Sequence, residues 1–377
     1  MSAAQPLLVA HVIHHLVIGG MENGVVNLIN HLPAERFRHA VVCIEDASDF
    51  AQRIQREDVE VHLLHRSKIG AWRLRWRLLN LFRRLRPDIV HSRGLSGLDA
   101  LVPARLTGVK TVHSEHGFNV DDLHGLGRRQ TLLRRVHAPL VRRYIAVSKD
   151  LQRLMVTRWG VREASVTQIY NGVDTERFVP AWPRRRDVLP AALWAQDMFV
   201  VGTVGRLQPV KDQETLLRAF ARVLTRRPEW RSRLRLMLVG DGPNMASLRA
   251  TADELGIASQ AWLAGAQTDV PALLQAIDVF VLPSLMEGIS NTLLEAMACG
   301  MPVLATAVGG NVELVEESVT GATFAPGDVE RLAGLIEDYV RNPELCEGQG
   351  RAARQKAEQS FSLRTMVSRY QDFYEAL

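Results

Sequence analysis

Two glutamates with seven residues between them, Glu287 and Glu295, bracket the most informative stretch of the chain, which runs Glu287-Gly288-Ile289-Ser290-Asn291-Thr292-Leu293-Leu294-Glu295. The run Val279–Pro283 before it is continuously apolar, as a buried parallel strand is, and Gly300 and Pro302 close the stretch on its far side. A helix is therefore expected to open near Asn291 or Thr292. Its N-terminus would turn backbone amides and the positive end of the helix dipole toward an anion. Thr292-x-x-Glu295 reads as a capping box worth about 1 kcal/mol. Glu287, in the loop ahead of Gly288, has no such duty and is placed to accept hydrogen bonds from ligand hydroxyls. Upstream, Gly205-Arg206-Leu207-Gln208-Pro209-Val210-Lys211 carries two cations five residues apart at another strand exit. Such a pair can clamp adjacent phosphates, one cation as a planar fork and the other as a point charge. Carboxylates for diols, with cations and helix amides for phosphates, describe a nucleotide-sugar ligand.

Other strand exits say less. Gly19-Gly20-Met21-Glu22-Asn23-Gly24 either lets amides approach a phosphate or makes a tight turn, and it lacks the G-x-G-x-x-G dinucleotide spacing. Val239-Gly240-Asp241-Gly242 follows a strand, but Met245 stands where a third glycine belongs. His113-Ser114-Glu115-His116-Gly117 ends a further strand. His-x-x-His at a strand exit lacks the helical i,i+4 geometry of zinc motifs and has no evident third ligand, so His116 reads as a cleft residue and no metal is expected. No Asp-x-Asp pair occurs either, which leaves the charge of a leaving group to Arg206, Lys211 and helix amides. His11, His14 and His15, at or just after the first strand, receive no role.

The elements that must position these residues follow from hydrophobic patterning. Short Val-, Ile- and Leu-rich runs alternate with helical patterns from end to end, which indicates βαβ units and the α/β class. Strands are expected near Leu7–Ile13, Ala40–Ile44, Val59–Leu64, Asp88–Ser92, Thr111–Glu115 and Tyr144–Val147. The pattern restarts with Phe199–Val204, Leu234–Val239, Val279–Pro283 and Pro302–Thr306. Asn171-Gly172 and the prolines 180, 183 and 190 around Arg184-Arg185-Arg186 mark a hinge and linker. Two facing, doubly wound halves of this kind bind a nucleotide ligand between them.

Bulk properties agree. The 377 residues are 47% hydrophobic and 23% charged, which excludes disorder, collagen and heptad rods. No run of 18 apolar residues exists, and the N-terminal apolar stretch lacks a basic leader, so the chain reads as neither secreted nor membrane-spanning. Three scattered cysteines suit a reducing cytoplasm. Residues 1–170 hold 25 Lys and Arg against 15 Asp and Glu, a formal +10, while the remainder carries −5. That asymmetry fits an anionic partner for the first half, or simply an arginine-rich proteome.

Taken in order, Gly19-Gly20, His116-Gly117, Asn171-Gly172-Val173-Asp174, Gly205-Arg206 with Lys211, the Glu287-to-Glu295 spacing and Gly309-Gly310 resemble the retaining glycosyltransferases of family 4 over nearly the whole chain. The nearest likeness is to bacterial exopolysaccharide-type sugar transferases. The resemblance implies GT-B architecture: a Rossmann-like acceptor-side domain at 1–175, a Rossmann-like donor domain at 176–360, and a helix at 361–377 returning to the first. It implies that Arg206 and Lys211 bind the donor pyrophosphate, Glu295 the ribose diol and Glu287 the transferred hexose. Gly288, Ile289, Ser290, Asn291 and Thr292 would supply amides to sugar and phosphate. Gly19 and Gly20 would shape a loop near the phosphates, and His116 would contact the donor sugar near the reacting centre. The family often has proline before the glutamate that follows the second glycine pair. Here Val312 precedes Glu313.

The implied activity is transfer of a sugar from a UDP- or GDP-linked donor to a glycan or lipid-linked acceptor, with retention and no cofactor. A nucleotide-sugar epimerase and a silent nucleotide-sugar-binding protein are the alternatives on this architecture. Nucleic acid is not expected, because the basic patches lack a reader motif. One segment points to a membrane. At helical spacing Leu74, Leu78, Leu81, Phe82 and Leu85 share a core-facing stripe, which leaves Trp72, Trp76 and Leu79 opposite, among Arg75, Arg83 and Arg86. Tryptophans among arginines suit the headgroup layer of an anionic membrane, and peripheral attachment at its cytoplasmic face is the corresponding expectation.

Overall fold

The computed structural model describes residues 5–117 and 127–377. Two compact units form, one from Met1–Gly172 with Leu363–Leu377 and the other from Val173–Ser362. In the first, β1 (Leu7–Ile13), β2 (Phe37–Cys43), β3 (Glu60–Leu63), β4 (Ile89–Arg93), β5 (Lys110–Glu115), β6 (Arg143–Ala146) and β7 (Val166–Gln168) make a parallel sheet ordered β3-β2-β1-β4-β5-β6-β7. In the second, β8 (Phe199–Val204), β9 (Leu234–Val239), β10 (Ala261–Gly265), β11 (Val279–Leu282), β12 (Val303–Thr306) and β13 (Gly321–Phe324) are ordered β10-β9-β8-β11-β12-β13. Both orders reverse beside their first strand, between β1 and β4 and between β8 and β11. Those two points are where open sheets of this type bind ligands.

Helices cover both sheet faces, so the inner strands read as unbroken apolar runs. All six residues of β8, Phe-Val-Val-Gly-Thr-Val, are buried. The inner strands of the first sheet depart from this rule, because His11, His91, Arg93, His113 and Glu115 are buried among the aliphatic residues. Hydrophobic patterning does not announce three strands, β7, β10 and β13, and each lies at a sheet edge. Edge strands have a neighbour on one side only and are less completely buried: β7 is Val-Thr-Gln with one buried residue, and β10, Ala-Trp-Leu-Ala-Gly, likewise buries only Leu263.

The closing helix, Leu363–Glu375, belongs to the first unit. Its Leu363, Met366, Val367, Tyr370, Phe373 and Tyr374 enter one core cluster with Val9, Phe37, Ile89, Val112 and Ile145. The 363, 366, 367, 370, 374 spacing is a helix with one buried face. The arginine run read as part of a hinge and linker is fastened to the second unit. Arg184 is buried and donates to the Gly300 carbonyl at 3.2 Å, and Arg186 reaches the Asp278 carboxylate at 2.6 Å. Guanidinium forks satisfy carbonyls that an apolar side chain would leave bare.

Candidate active site

The reversal point of the second sheet brings together residues that lie about eighty positions apart. Beyond β8 the chain passes Gly205 and Arg206 and makes a short turn, Pro209–Lys211, before the helix Gln213–Arg226. Gln213 ties that loop down by donating to the Arg206 carbonyl at 3.0 Å. Beyond β11, the amide of Leu285 donates to the Val210 carbonyl at 2.8 Å, so the two exits are stitched backbone to backbone. Lys211 Nζ consequently meets Glu287 Oε1 at 2.5 Å, and Ser284 Oγ donates to the same oxygen at 2.6 Å. The lysine side chain is 24% exposed and the glutamate 9%. The lysine end of this ion pair is therefore the more accessible one. The Arg206 side chain, by contrast, is exposed.

The loop carrying Glu287 is held from a third direction. Thr306, at the end of β12, donates from its hydroxyl to the Ser284 carbonyl at 2.5 Å. Gly309-Gly310, just beyond, lies directly on the Glu287-Gly288 backbone. Gly309 has φ +48°, and a Cβ on it would sit 1.8 Å from the Glu287 carbonyl oxygen. One on Gly310 would sit 2.2 Å from that of Gly288. Only glycine permits this approach. The amide of Gly310 completes the contact by donating to the Gly288 carbonyl at 3.1 Å. Val312, exposed on the helical turn Asn311–Leu314, does not disturb that contact.

The helix expected after Glu287 spans Asn291–Ala298, but its cap differs from the expectation. Ser290 is the N-cap, its hydroxyl accepting from the Leu293 amide at 3.3 Å. Thr292 therefore lies inside the first turn, in contact with Ser290 through the two hydroxyls at 3.2 Å, and Thr292-x-x-Glu295 is not a capping box. The earlier of two eligible residues caps, because Ser290 is the last with extended backbone (φ −85°, ψ 114°). Glu295 is left half-buried in mid-helix. Burial and then the charge of Glu295 push the Cys299 thiol up to about 12, so that cysteine is no nucleophile at neutral pH.

Gly19, Gly20 and His116 belong to the first unit. Gly19 is the N-cap of the helix Gly20–His31 beyond β1, without a side-chain cap. His116 follows β5, half-buried, with Nε2 2.8 Å from Ser114 Oγ and Nδ1 buried without a hydrogen-bond partner among the described residues. Burial first, and the Arg93 charge second, hold it down to about 3. It is a neutral imidazole at physiological pH, suited to hydrogen bonding with a sugar rather than to acid catalysis. Among the described residues no cluster of three or more His, Cys, Asp or Glu suits a metal ion. Ser284 escapes a reading of the sequence, and Ser290 is read there only as a source of a backbone amide, not as the helix cap. A serine beside a functional carboxylate carries no spacing signal of its own.

The model of the group 1 glycosyl transferases matches residues 186–356, and that of glycosyltransferase family 4 matches residues 18–177. The chain belongs to the family 4 glycosyltransferases. Among relatives of this glycosyltransferase, the Escherichia coli UDP-Gal:alpha-D-GlcNAc-diphosphoundecaprenol alpha-1,3-galactosyltransferase is 26% identical over 99% of this chain and 98% of its own. The D-inositol 3-phosphate glycosyltransferase of Saccharomonospora viridis is 32% identical over 76% of this chain and 69% of its own. The crystal structure of Anabaena Alr3699/HepE in complex with UDP-glucose superposes with a TM-score of 0.84 at 22% identity, covering 98% of this chain and all of that one. This last likeness identifies the GT-B fold. A family 4 glycosyltransferase thus carries its cation–carboxylate pair at the reversal point of its second sheet.

Proposed function

We propose that this glycosyltransferase transfers a hexose from a UDP- or GDP-linked donor to a glycan or lipid-linked acceptor, with retention of configuration and without a metal, in bacterial polysaccharide assembly. The observation that carries the reading is the Lys211–Glu287 pair, held at one reversal point beside the start of the Asn291–Ala298 helix. In the proposed reaction the bond between the sugar's anomeric carbon and the diphosphate oxygen breaks, and a bond from that carbon to the acceptor oxygen forms. The acceptor proton passes to the departing diphosphate. Lys211 and Arg206 stabilise the charge that develops on the leaving group, aided by the dipole of the helix behind Ser290. Glu287 accepts from hexose hydroxyls, Glu295 from the ribose diol, and backbone amides between Gly288 and Thr292 contact sugar and phosphate. The relatives named for UDP-linked sugars and a diphosphoundecaprenol acceptor support this choice of substrates.

A panel of nucleotide-sugars screened for thermal stabilisation with EDTA present tests the reading. One UDP- or GDP-sugar is expected to raise the melting temperature to the same extent with and without chelator, because fixed cations hold the diphosphate. Stabilisation that vanishes with EDTA and returns with manganese would contradict it.

The acceptor reading extends to a membrane surface. Among the described residues no helix is long and apolar enough to cross a membrane. Within Arg66–Leu85, Leu74, Leu78, Leu81 and Phe82 are buried, whereas Trp72 and Trp76 are 84% and 66% exposed. Leu79 is half-buried, and Arg75 is drawn to Asp99 at 3.3 Å, so the cations left for lipid phosphate are Arg73, Arg77, Arg83 and Arg86. We propose that this face docks on anionic bilayers. Co-sedimentation with phosphatidylglycerol vesicles at low salt should be strong, weaken with salt and disappear in Trp72→Ser/Trp76→Ser. No binding by the unmodified protein would rule it out.

A further inference from the structure

The helix Arg128–His137, between β5 and β6, is turned inside out. A helix packed on a sheet ordinarily buries its apolar stripe and leaves its cations in water. This one buries Arg134, 8% exposed, while Leu132 and Val136 are 61% and 63% exposed and Leu133 is exposed beside them. Arg134 Nε donates to Glu115 Oε1 at 2.7 Å, and its guanidinium lies 4.3 Å from the centre of the Trp159 ring. Glu115 is itself buried at the end of β5, and a buried carboxylate holds its cation. The helix is thereby fixed with Arg134 inward. At about 100° per residue, that setting turns Leu132, Arg129, Val136 and Leu133 onto one outward arc, with Arg128 and Arg135 along its border.

The neighbouring helices continue this face. The connections from β3 to β4, β4 to β5 and β5 to β6 all advance in one direction across the sheet. Right-handed crossovers therefore put the helices Arg66–Leu85, Leu101–Leu106 and Arg128–His137 on one side of it. The middle helix packs against the first and against the turn Ala138–Leu140 that follows the third. It exposes Val102 and Leu106 together with Arg105. None of the three helices contains Asp or Glu.

An apolar arc set among cations fits a cover with an apolar interior and an anionic surface. Two copies of this face related by a two-fold axis would set arginines against arginines, with no carboxylate on the helix to separate them. An anionic bilayer supplies both the apolar layer and the counter-charge. We propose that the outward face of Arg128–His137 is a second bilayer contact, with Leu132 and Val136 entering the acyl boundary and Arg128 and Arg129 pairing with lipid phosphate. Arg135 is turned back to the Arg158 carbonyl at 2.7 Å and holds the helix in place. The first unit is then held through a layer of helices rather than through Trp72 and Trp76 alone. The lipid identity rests on the bilayer reading of those tryptophans under the proposed function. The inverted setting of the helix does not.

Cys43, Cys299 and Cys346 are all buried, so an environment-sensitive fluorophore can be placed selectively on Leu132→Cys. With phosphatidylglycerol vesicles at low salt its emission should shift to the blue and be quenched by brominated lipid. Leu132→Ser/Val136→Ser should bind the same vesicles about tenfold more weakly with the melting temperature unchanged, since both side chains are exposed. Arg128→Gln/Arg129→Gln should bind more weakly with a shallower dependence on salt. Binding by Leu132→Ser/Val136→Ser equal to wild type, with the fluorophore at position 132 remaining in water, overturns the second contact and leaves Trp72 and Trp76 as the docking site. No vesicle binding by the wild type overturns both. A dimer that Leu132→Ser/Val136→Ser abolishes, with vesicle binding unchanged, assigns the face to a second copy of the chain and overturns the second contact as well.

Discussion

Lys211→Ala should lower kcat/KM for sugar transfer about a thousandfold, the upper range for deleting one preorganised charge-stabilising donor from an active site. Two effects add. On the proposed reading the variant loses the ammonium that would meet negative charge growing on the diphosphate. It also strands Glu287, whose side chain is only 9% exposed and whose Oε1 would retain Ser284 alone as partner. A largely buried carboxylate without its cation repels an incoming diphosphate. Because Lys211 ends a surface turn rather than filling core, circular dichroism should remain near wild type, while the stranded Glu287 carboxylate should lower the melting temperature by a few degrees at most. Lys211→Arg should recover only part of the rate, since a planar fork does not reproduce a point charge 2.5 Å from one oxygen. Initial rates over a range of donor concentrations decide the case. A rise in KM with kcat unchanged would reduce Lys211 to a ground-state clamp.

Glu295→Ala should cost roughly 10- to 100-fold in kcat/KM, the value of charged hydrogen bonds to a ribose diol. The cost in fold stability should be slight, because the helix cap belongs to Ser290 rather than to the pair Thr292 and Glu295. The diagnostic comparison uses a donor with 2′-deoxyribose. Wild type should discriminate against it, and Glu295→Ala should discriminate little, as two deletions of one interaction do not add. Equal discrimination by both proteins would remove Glu295 from the ribose.

Much of this arrangement is legible in the residues because inner strands of a covered parallel sheet are continuous apolar runs. β1, β8 and β9 occupy the ranges their patterns predict. Edge strands β7, β10 and β13 face fewer neighbours, so their composition carries no such run. The meeting of Lys211 with Glu287 is beyond local pattern. It depends on β8 and β11 being neighbours in the sheet, and strand order is a property of the whole unit. The cap at Ser290 is hidden because Ser290 and Thr292 are equally able to cap, and the choice depends on which residue the loop leaves extended. Charge alone likewise does not say whether Arg184 and Arg186 meet water or the carbonyls and carboxylate they actually bind.

One assay tests the central claim most directly: release of nucleoside diphosphate from a UDP- or GDP-sugar, followed with and without a lipid-diphosphate glycan acceptor, with the sugar products analysed. Release that depends on acceptor, leaves the hexose attached to it, and is lost in Lys211→Ala is the result expected of a donor site at Lys211, Glu287 and the helix behind Ser290. A change in the donor sugar's configuration without acceptor, or release as fast in Lys211→Ala as in wild type, would contradict it.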